Sequence, residues 1–279
     1  MSSSPIVAWR TGRPGRPAVP LPPAPMPLRR GLRPLKRWRW VGCFSDEVML
    51  CAAVARIGPL PVSWYAIWDR QARTLAENTL RRGSAVRVDD GTVRIEDGPV
   101  RMELALEASA GVETVSPHGQ QYIWTRKQPA RATGTASIGE KAFTLDAPAF
   151  VDDSAGYHAR STHWSWSAGV GVAESGAAVA WNVVTGVHDA LGASERSVWV
   201  DGEPHEVGPV GIADNLGTVT FAEGNALTFR AEATRAHREN LLLVATDYEQ
   251  PFGSFTGTLP GAGRLREGLG VMERHSVRW

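Results

Sequence analysis

The segment from Asp152 to Gly171 (DDSAGYHARSTHWSWSAGVG) places side chains that can move protons beside large aromatic surfaces. Two adjacent carboxylates, Asp152 and Asp153, open it, and two histidines and two tryptophans follow. Acidic groups next to apolar rings are typical of a site that binds an apolar ligand and acts on it with acid or base. Because burial against tryptophan raises the pKa of a carboxyl group, either aspartate is a candidate general acid.

The same residues also have a plainer interpretation. The aspartates precede a turn that contains glycine, and aspartate side chains often accept hydrogen bonds from backbone N–H groups in turns. A metal site built from Asp152, His158 and His163 is chemically conceivable, but the spacing matches no established ligand pattern, so we expect no metal. The sequence has no phosphate-binding glycine loop, dinucleotide fingerprint, nucleophile elbow or zinc-protease helix, so we also expect no cofactor.

Alternation within the predicted strand HWSWSAGVGV sorts its side chains onto two faces. Trp164 and Trp166 share a bulky apolar face, whereas His163 lies with serines and glycines on a small one. A face of small residues borders either a cavity or a closely packed chain. If the small faces of neighbouring strands meet, His163 and Ser165 line a common space with Asn182 and His188 of the next predicted strand.

The chain ends in GVMERHSVRW, which predicts a strand with valines and a tryptophan on one face. Glu273 and His275 fall on that apolar face, where a carboxylate and an imidazole are costly unless they are paired or functional. Both are therefore candidate catalytic residues, two positions apart and within reach of one ligand. A structural ion pair that closes the end of the sheet explains them equally well.

Other aromatic and hydrogen-bonding side chains complete the expected ligand contacts. Besides Trp164, Trp166 and Asn182, the predicted ligand-binding residues are Tyr157, His158, Trp124 and Arg126. Arg126 and Lys127 are adjacent cations on a predicted strand, so we expect one of them to face solvent while the other meets a carboxylate such as Asp152 or Glu273.

The elements that must position these residues have a β pattern from Lys36 onward. Asp-Gly pairs between alternating segments predict hairpin turns at residues 90–91, 97–98 and 201–202. Helical periodicity is scarce, and only residues 72–82 suggest a short helix or an irregular excursion. Many short strands at regular spacing are typical of barrels and sandwiches, so we expect an all-β protein.

Three regions follow from composition. Residues 1–35 are rich in proline and arginine and contain no acidic residue, which predicts a disordered arm. This arm is either a solvated tail, part of an over-long start, or a weak contact for an anionic surface. Residues 36–151 and 152–279 are then two β-barrel-like domains, divided at the turn-rich segment after Val151.

Composition also excludes several classes of function. The net charge of +1 over 279 residues gives the protein no electrostatic attraction to nucleic acid. No apolar run is long enough for a transmembrane segment, and proline and arginine interrupt the N-terminus, so we expect a cytoplasmic protein. The two cysteines, Cys43 and Cys51, are interpreted as free thiols, although a hairpin turning near Glu47 would let them face each other.

Several strings of the chain resemble the bacterial family called domain of unknown function 2804. They are KRWRWVGCFSDEVMLCAAVARIGPLP, TVSPHGQQYIWTRKQ, VDDSAGYHARSTHWSWSAGVG, AVAWNVVTGVHDA, ENLLLVATDYEQPFGSFTGTLP and GVMERHSVRW. The resemblance covers the chain from about Leu32 to Trp279. That family is in turn distantly similar to the lipocalin-like carotenoid hydratases and tocopherol cyclases.

The resemblance implies two consecutive lipocalin-like (calycin-like) β-barrels or half-barrels around an apolar cavity, with little helix. In such enzymes an acid near aromatic rings protonates a polyene, and water or an internal hydroxyl captures the cation. Asp152, Asp153, His163 and Trp164 lie in the region similar to the acid-bearing strand. We therefore expect cofactor-independent hydration, cyclisation or isomerisation of an apolar, unsaturated lipid- or terpenoid-like molecule. The alternatives are a carrier for such a ligand and a scaffold without one.

Overall fold

The fold was described from a computed structural model, which covers residues 6–241 and 244–279. Over these residues the chain forms antiparallel β-strands and no helix. The expectation of an all-β protein built from two lipocalin-like units is confirmed.

The first half of the chain contributes thirteen strands. They are β1 (Trp9–Arg10), β2 (Arg29–Arg30), β3 (Arg33–Pro34), β4 (Lys36–Phe44), β5 (Val48–Ile57), β6 (Leu60–Asp69), β7 (Thr74–Leu80), β8 (Val86–Val88), β9 (Thr92–Asp97), β10 (Val100–Ala108), β11 (Val112–His118), β12 (Gln121–Ile138) and β13 (Lys141–Gly156). Except for the β2–β3 ribbon, they form one sheet in the order β7-β6-β5-β4-β13-β12-β10-β9-β8, with β11 and β1 added beside β12. The sheet is curled, so that its edge strand β8 returns to contact β5.

The second half forms a nine-stranded sheet. Its strands are β14 (Ser161–Ala173), β15 (Ala178–Thr185), β16 (Ser197–Val200), β17 (Glu203–Glu206), β18 (Val210–Ile212), β19 (Thr218–Phe221), β20 (Ala226–Leu241), β21 (Val244–Leu259) and β22 (Gly263–Arg278). Their order is β17-β16-β15-β14-β22-β21-β20-β19-β18. Strand β13 continues to Gly156, past the domain boundary expected after Val151. The chain therefore passes from the first sheet to the second at residues 157–160.

The predicted Asp-Gly turns lie between paired strands. At the β16–β17 turn, Asp201 and Gly202 both adopt positive φ, 49° and 87°, which this tight hairpin requires. Residues 74–80, by contrast, form strand β7, so the suggestion of a helix is wrong. Leu75 and Leu80 are an odd number of positions apart and pack on opposite faces of the sheet, into two different cores.

Each sheet encloses an apolar core of its own, and a third core lies between the sheets. This inter-sheet core includes the large side chains of Trp40, Phe44, Trp68, Phe150, Trp166, Trp199 and Phe252. Burying each of them stabilises the fold by roughly 1.5–3 kcal/mol. Strand β4 serves two cores by alternation, since Val41 points into the first sheet and Trp40 points toward the second.

The N-terminal arm differs from the disorder expected of it, from residue 6 onward. Trp9 and Leu21 are buried against Tyr122 and Tyr157, because the apolar residues scattered among the prolines cover rings at the edge of the first sheet. Arg10 reaches across to the second half, where its guanidinium donates to the Ser194 carbonyl at 2.6 Å. Residues 1–5 of the expected arm lie outside the described residues.

Both cysteines are free and buried. Strands β4 and β5 form the expected hairpin, but Cys43 pairs with Leu50 and Cys51 pairs with Gly42. This offset of one position puts the two thiols on opposite faces of the sheet. Burial raises the pKa of each thiol to about 12, so both remain protonated.

Candidate functional site

A cavity of about 250 Å³ lies between the two sheets, beside the inter-sheet core. Six tryptophans form much of its wall: Trp38, Trp40, Trp64, Trp164, Trp166 and Trp279. Ionisable side chains project among them: Lys127, Asp152, His158, His188, Glu195, Arg235, Tyr248, Glu273 and His275. A largely apolar space with a few convergent polar groups is typical of a small-molecule site.

Strand register brings the second-sheet residues together. On β14 and β22, Trp164 lies opposite His275 and Trp166 lies opposite Glu273. On β21, Tyr248 lies opposite His275 from the other side. Since paired residues share a face, these five side chains all point toward the first sheet.

Glu273 is buried, and its carboxylate accepts two hydrogen bonds. Trp164 Nε1 donates to Oε1 at 2.7 Å, and Gln250 Nε2 donates to Oε2 at 2.9 Å. Burial outweighs these bonds and raises the pKa of Glu273 to about 7, and the nearby charge of Asp152 acts in the same direction. The group is therefore partly protonated at neutral pH and can donate a proton into the cavity.

Asp152, Lys127 and Glu195 form a buried charged cluster on another wall of the cavity. Lys127 Nζ lies 2.5 Å from Asp152 Oδ1 and 3.3 Å from Glu195 Oε1. Burial lowers the pKa of Lys127, but the two carboxylates outweigh it and the net shift is upward. Burial raises the pKa of Asp152, with Glu195 adding to the shift and Lys127 opposing it. One ammonium between two carboxylates favours retention of a proton within the cluster.

Arg235 and Tyr248 place polar donors at the side of the cavity formed by β20 and β21. The Arg235 guanidinium lies 5.0 Å from the Tyr248 ring and 5.9 Å from the Trp64 ring. Burial raises the pKa of Tyr248 well above its usual range, so its hydroxyl stays neutral. Within the described chain, the Tyr248 hydroxyl and Arg235 Nε have no hydrogen-bond partner.

The histidines of the cavity are neutral. Burial lowers the pKa of His275 and of His188 to about 3 each, and that of His158 well below its usual value. His275 Nε2 shares a 2.7 Å hydrogen bond with the Thr246 hydroxyl, and its ring lies 4.4 Å from that of Trp164. These imidazoles can accept or relay a proton, but they are not resident acids.

Many polar atoms of the cavity lining are buried without a protein partner. Among the described residues, they belong to Trp40, Trp64, His158, His188, Glu195, Arg235, Tyr248 and Trp279. Buried polar groups are normally hydrogen-bonded, and a cluster of exceptions indicates bound water or ligand. The lining therefore offers a ligand both apolar walls and unused donors.

The structure brings many of the sequence-predicted residues to this cavity. They are Asp152, His158, Trp164, Trp166, Glu273 and His275. Asn182 lies behind them, where it accepts a hydrogen bond from Trp166 Nε1 at 2.7 Å and donates to the Glu195 carbonyl at 3.0 Å. Of the two adjacent cations, Lys127 is the one that meets a carboxylate in the cavity, Asp152.

Other predicted residues lie elsewhere. Asp153 points to the opposite face of β13 from Asp152, as the pleat requires, and pairs with Arg126. His163 is exposed and bonds Ser276 at 2.7 Å, because its strand face points away from the first sheet. Tyr157 lies under the N-terminal arm and donates to the Pro27 carbonyl.

Two further expectations need correction. Trp124 packs beside the arm and donates to Glu113 at 3.3 Å, outside the cavity. The small face of β14 does not border the cavity: Gly169 there packs so closely that an added Cβ would lie 2.2 Å from the Trp181 ring. The cavity instead adjoins the tryptophan face of the strand.

Sequence reasoning missed Glu195, Arg235 and Tyr248. Each comes from a segment far from the Asp152 region, and only long-range register shows that they meet. A local signal existed for Trp38 and Trp40, since alternation in KRWRW puts them on one face. No group of His, Cys, Asp and Glu side chains suited to a metal ion was found in the described parts of the chain. A helix able to cross a membrane is likewise absent from them.

Comparison with solved structures finds proteins of similar fold. Kievitone hydratase from Nectria haematococca superimposes with a TM-score of 0.55 at 10% sequence identity, covering 86% of this chain and 88% of the hydratase. The superposition with CghA covers 94% of this chain and 95% of the CghA chain, with 13% sequence identity and a TM-score of 0.44. No protein with a curated description matches the sequence.

The sequence itself matches a family model over residues 78–279, a span that includes the whole second sheet and most of the cavity lining. That model describes a domain of unknown function, DUF2804. The match extends over more than half of the chain, so the protein belongs to the DUF2804 family.

Proposed function

We propose that the protein catalyses cofactor-independent acid–base chemistry on an apolar, unsaturated small molecule in the inter-sheet cavity. The observation that carries this proposal is Glu273, a buried carboxyl group with a pKa of about 7 that lines the cavity beside tryptophan. A general acid works best when its pKa is close to the working pH.

In the proposed reaction, Glu273 transfers its proton to one carbon of a C=C bond and leaves a carbocation on the other. Trp164 and Trp166 line the cavity, and in this proposal their π faces stabilise that cation. Water or an internal hydroxyl then forms a C–O bond, and its proton passes to the Glu273 carboxylate. The net result is addition of water or ring closure, with the acid regenerated. Loss of a proton from the cation instead gives an isomer.

Positioning falls to the residues around the acid. Arg235 and Tyr248 offer unused donors to an oxygen of the ligand. Asp152, held by Lys127, is a second carboxylate that can orient the attacking water by accepting a hydrogen bond from it. The fold shared with kievitone hydratase is compatible with hydration, but at 10% identity it supports the architecture alone.

A carrier function is the second candidate. It is favoured by the unpaired indole N–H groups of Trp40, Trp64 and Trp279, which can orient a ligand without reacting with it. In a carrier, Glu273 would only complete the hydrogen-bonded wall.

Glu273→Gln separates the two candidates. Retinol, a neutral polyene alcohol, serves as the binding probe through energy transfer from tryptophan. Farnesol and retinol serve as trial substrates, with mass spectrometry to detect hydrated products and chromatography to separate isomeric or cyclised products of unchanged mass. We expect wild-type protein to form product and the variant to form none, while retinol affinity stays within about tenfold.

Glu267→Gln is the matched control, because Glu267 is exposed on the same strand. Equal turnover by wild type and Glu273→Gln would overturn the assignment of Glu273. Retinol binding without turnover of either substrate, together with a lipid that co-purifies unchanged, would favour the carrier.

A further inference from the structure

A second chamber opens at one end of the first sheet, on the far side of the sheet from the inter-sheet cavity. Its volume is about 670 Å³. Alternation along strand β4 divides the two spaces, since Trp40 lines only the cavity while Arg37 and Arg39 line only this chamber. The spaces adjoin at their rims, where five residues line both: Trp38, Ala55, Pro61, Val62 and Arg81. None of the catalytic residues proposed above contributes to it.

Register arranges the chamber wall in two layers. The outer layer runs across neighbouring strands through Trp124, Ala155, Arg37, Arg56 and Pro61. The inner layer runs through Arg126, Asp153, Arg39, Val54, Ser63 and Leu80. Below these layers lies the apolar core of the first sheet, so the chamber is charged at its mouth and apolar at its base.

The inner arginines already have carboxylate partners. Asp153 lies between Arg126 and Arg39 in the sheet, 2.9 Å from the first and 3.7 Å from the second. The exposed Asp90 also pairs with Arg39. Even so, Arg39 Nε is buried without a partner among the described residues.

The outer arginines have no such partners. Arg37 and Arg56 lie directly opposite each other on β4 and β5, and Arg82 follows β7 beside them. In the described chain, none of the three forms a salt bridge or a side-chain hydrogen bond. Like charges directly opposite each other in a sheet are destabilising, so the fold keeps an unfavourable pair at the chamber mouth.

We propose that this chamber binds an amphipathic anion, with a carboxylate or phosphate head held by Arg37, Arg56 and Arg82. The apolar part of the ligand would lie inward against Val54, Leu80 and Val86, which line the chamber. Guanidinium groups bind both carboxylates and phosphates through paired N–H donors. The arginines therefore specify a negatively charged head group that accepts paired hydrogen bonds.

Calorimetric titration of the full chain tests the proposal with laurate, lauryl phosphate and neutral dodecanol. We expect both anions to bind and dodecanol to bind far more weakly, with affinity that falls as sodium chloride is added. The variant Arg37→Gln/Arg56→Gln should lose about tenfold or more of the anion affinity. The relative affinities of laurate and lauryl phosphate identify the head group.

Arg264→Gln/Arg266→Gln is the control of equal charge change, since both arginines are exposed on the second sheet. Because the Arg37/Arg56 variant lacks the repelling pair, its thermal midpoint should be unchanged or higher than that of wild type. If the two arginines had a purely structural role, the midpoint would fall. Unaltered retinol binding by that variant shows that the inter-sheet cavity is intact. Equal anion affinity in both double variants, or equal binding of dodecanol and laurate by wild type, would overturn the proposal.

Discussion

At the scale of single residues, one carboxyl group dominates the chemistry of the cavity. Glu273 lies beside Trp164, Trp166 and Gln250, and two hydrogen bonds and the charge of Lys127 offset its burial only in part. Its protonated form is therefore favoured up to about pH 7. Such a group makes the stability of the folded state sensitive to pH, whether or not it acts as the proposed acid.

The stability of the protein should reveal this proton. Between the ordinary glutamate pKa and about 7, folded Glu273 holds a proton that the unfolded chain has released, so the free energy of unfolding falls as pH rises through this window. Glutamine does not titrate, so the free energy of unfolding of Glu273→Gln does not fall in this way. We expect the variant to gain stability relative to wild type from pH 4 to pH 8, by up to roughly 3 kcal/mol. Urea denaturation of both proteins at pH 4 and pH 8 measures the difference in their free energies of unfolding. A difference that does not change with pH would contradict the prediction.

Lys127 should be the most sensitive position of the buried cluster. Replacing it with methionine leaves Asp152 and Glu195 buried without their shared cation. We expect Lys127→Met to lower the free energy of unfolding by about 3–5 kcal/mol. Adding Asp152→Asn should recover part of that loss, because it removes one of the stranded charges. A double variant no more stable than the single one would show that the pairing with Asp152 is unimportant.

At the scale of elements, the alternation of side chains explains what could be predicted from the sequence. The turns at residues 90–91 and 201–202 and the shared inward face of Glu273 and His275 follow from local pattern. The meeting of Glu195 with Lys127 does not, because it depends on contacts between two sheets. Burial of the arm was also unpredictable, since its few apolar residues are meaningful only once Tyr122 and Tyr157 offer a surface.

Strand β1 contacts both halves of the molecule and should stabilise their association. Its backbone pairs with β11, while the Arg10 side chain donates to the Ser194 carbonyl and to Ser197 Oγ. We expect Arg10→Ala to cost about 1–3 kcal/mol, because buried acceptors lose their donor. Arg16→Ala, at an exposed ion pair, should change stability by less than about 1 kcal/mol. Thermal denaturation compares the two variants, and equal losses of stability would contradict a stabilising role for Arg10 between the halves.

At the scale of the whole molecule, the inter-sheet core joins two sheets that could each have been a separate domain. Phe150 and Trp199 pack edge to face across it with ring centroids 5.6 Å apart, and Trp40 and Trp166 do the same at 5.2 Å. The cavity exists only while this contact holds, because each sheet supplies part of its wall. The cavity and the cohesion of the two halves therefore depend on the same contacts.

We expect the protein to unfold as one unit. Tryptophan emission and far-ultraviolet circular dichroism should report the same single transition on heating. Phe150→Ala should lower the stability of the whole by about 3–5 kcal/mol rather than releasing one half. Two resolved transitions in the wild-type protein would contradict this view.

The separation of Asp152 from Asp153 has a consequence for how the gene can vary. One carboxylate serves the space between the sheets and its neighbour serves the arginine-lined chamber, solely because consecutive residues of a strand project oppositely. Inserting one codon upstream within β13 would turn Asp152 toward the chamber and place an apolar residue such as Val151 opposite Lys127, which would lose its carboxylate partner there. Natural length changes in this strand should therefore occur in steps of two residues, or be confined to its ends.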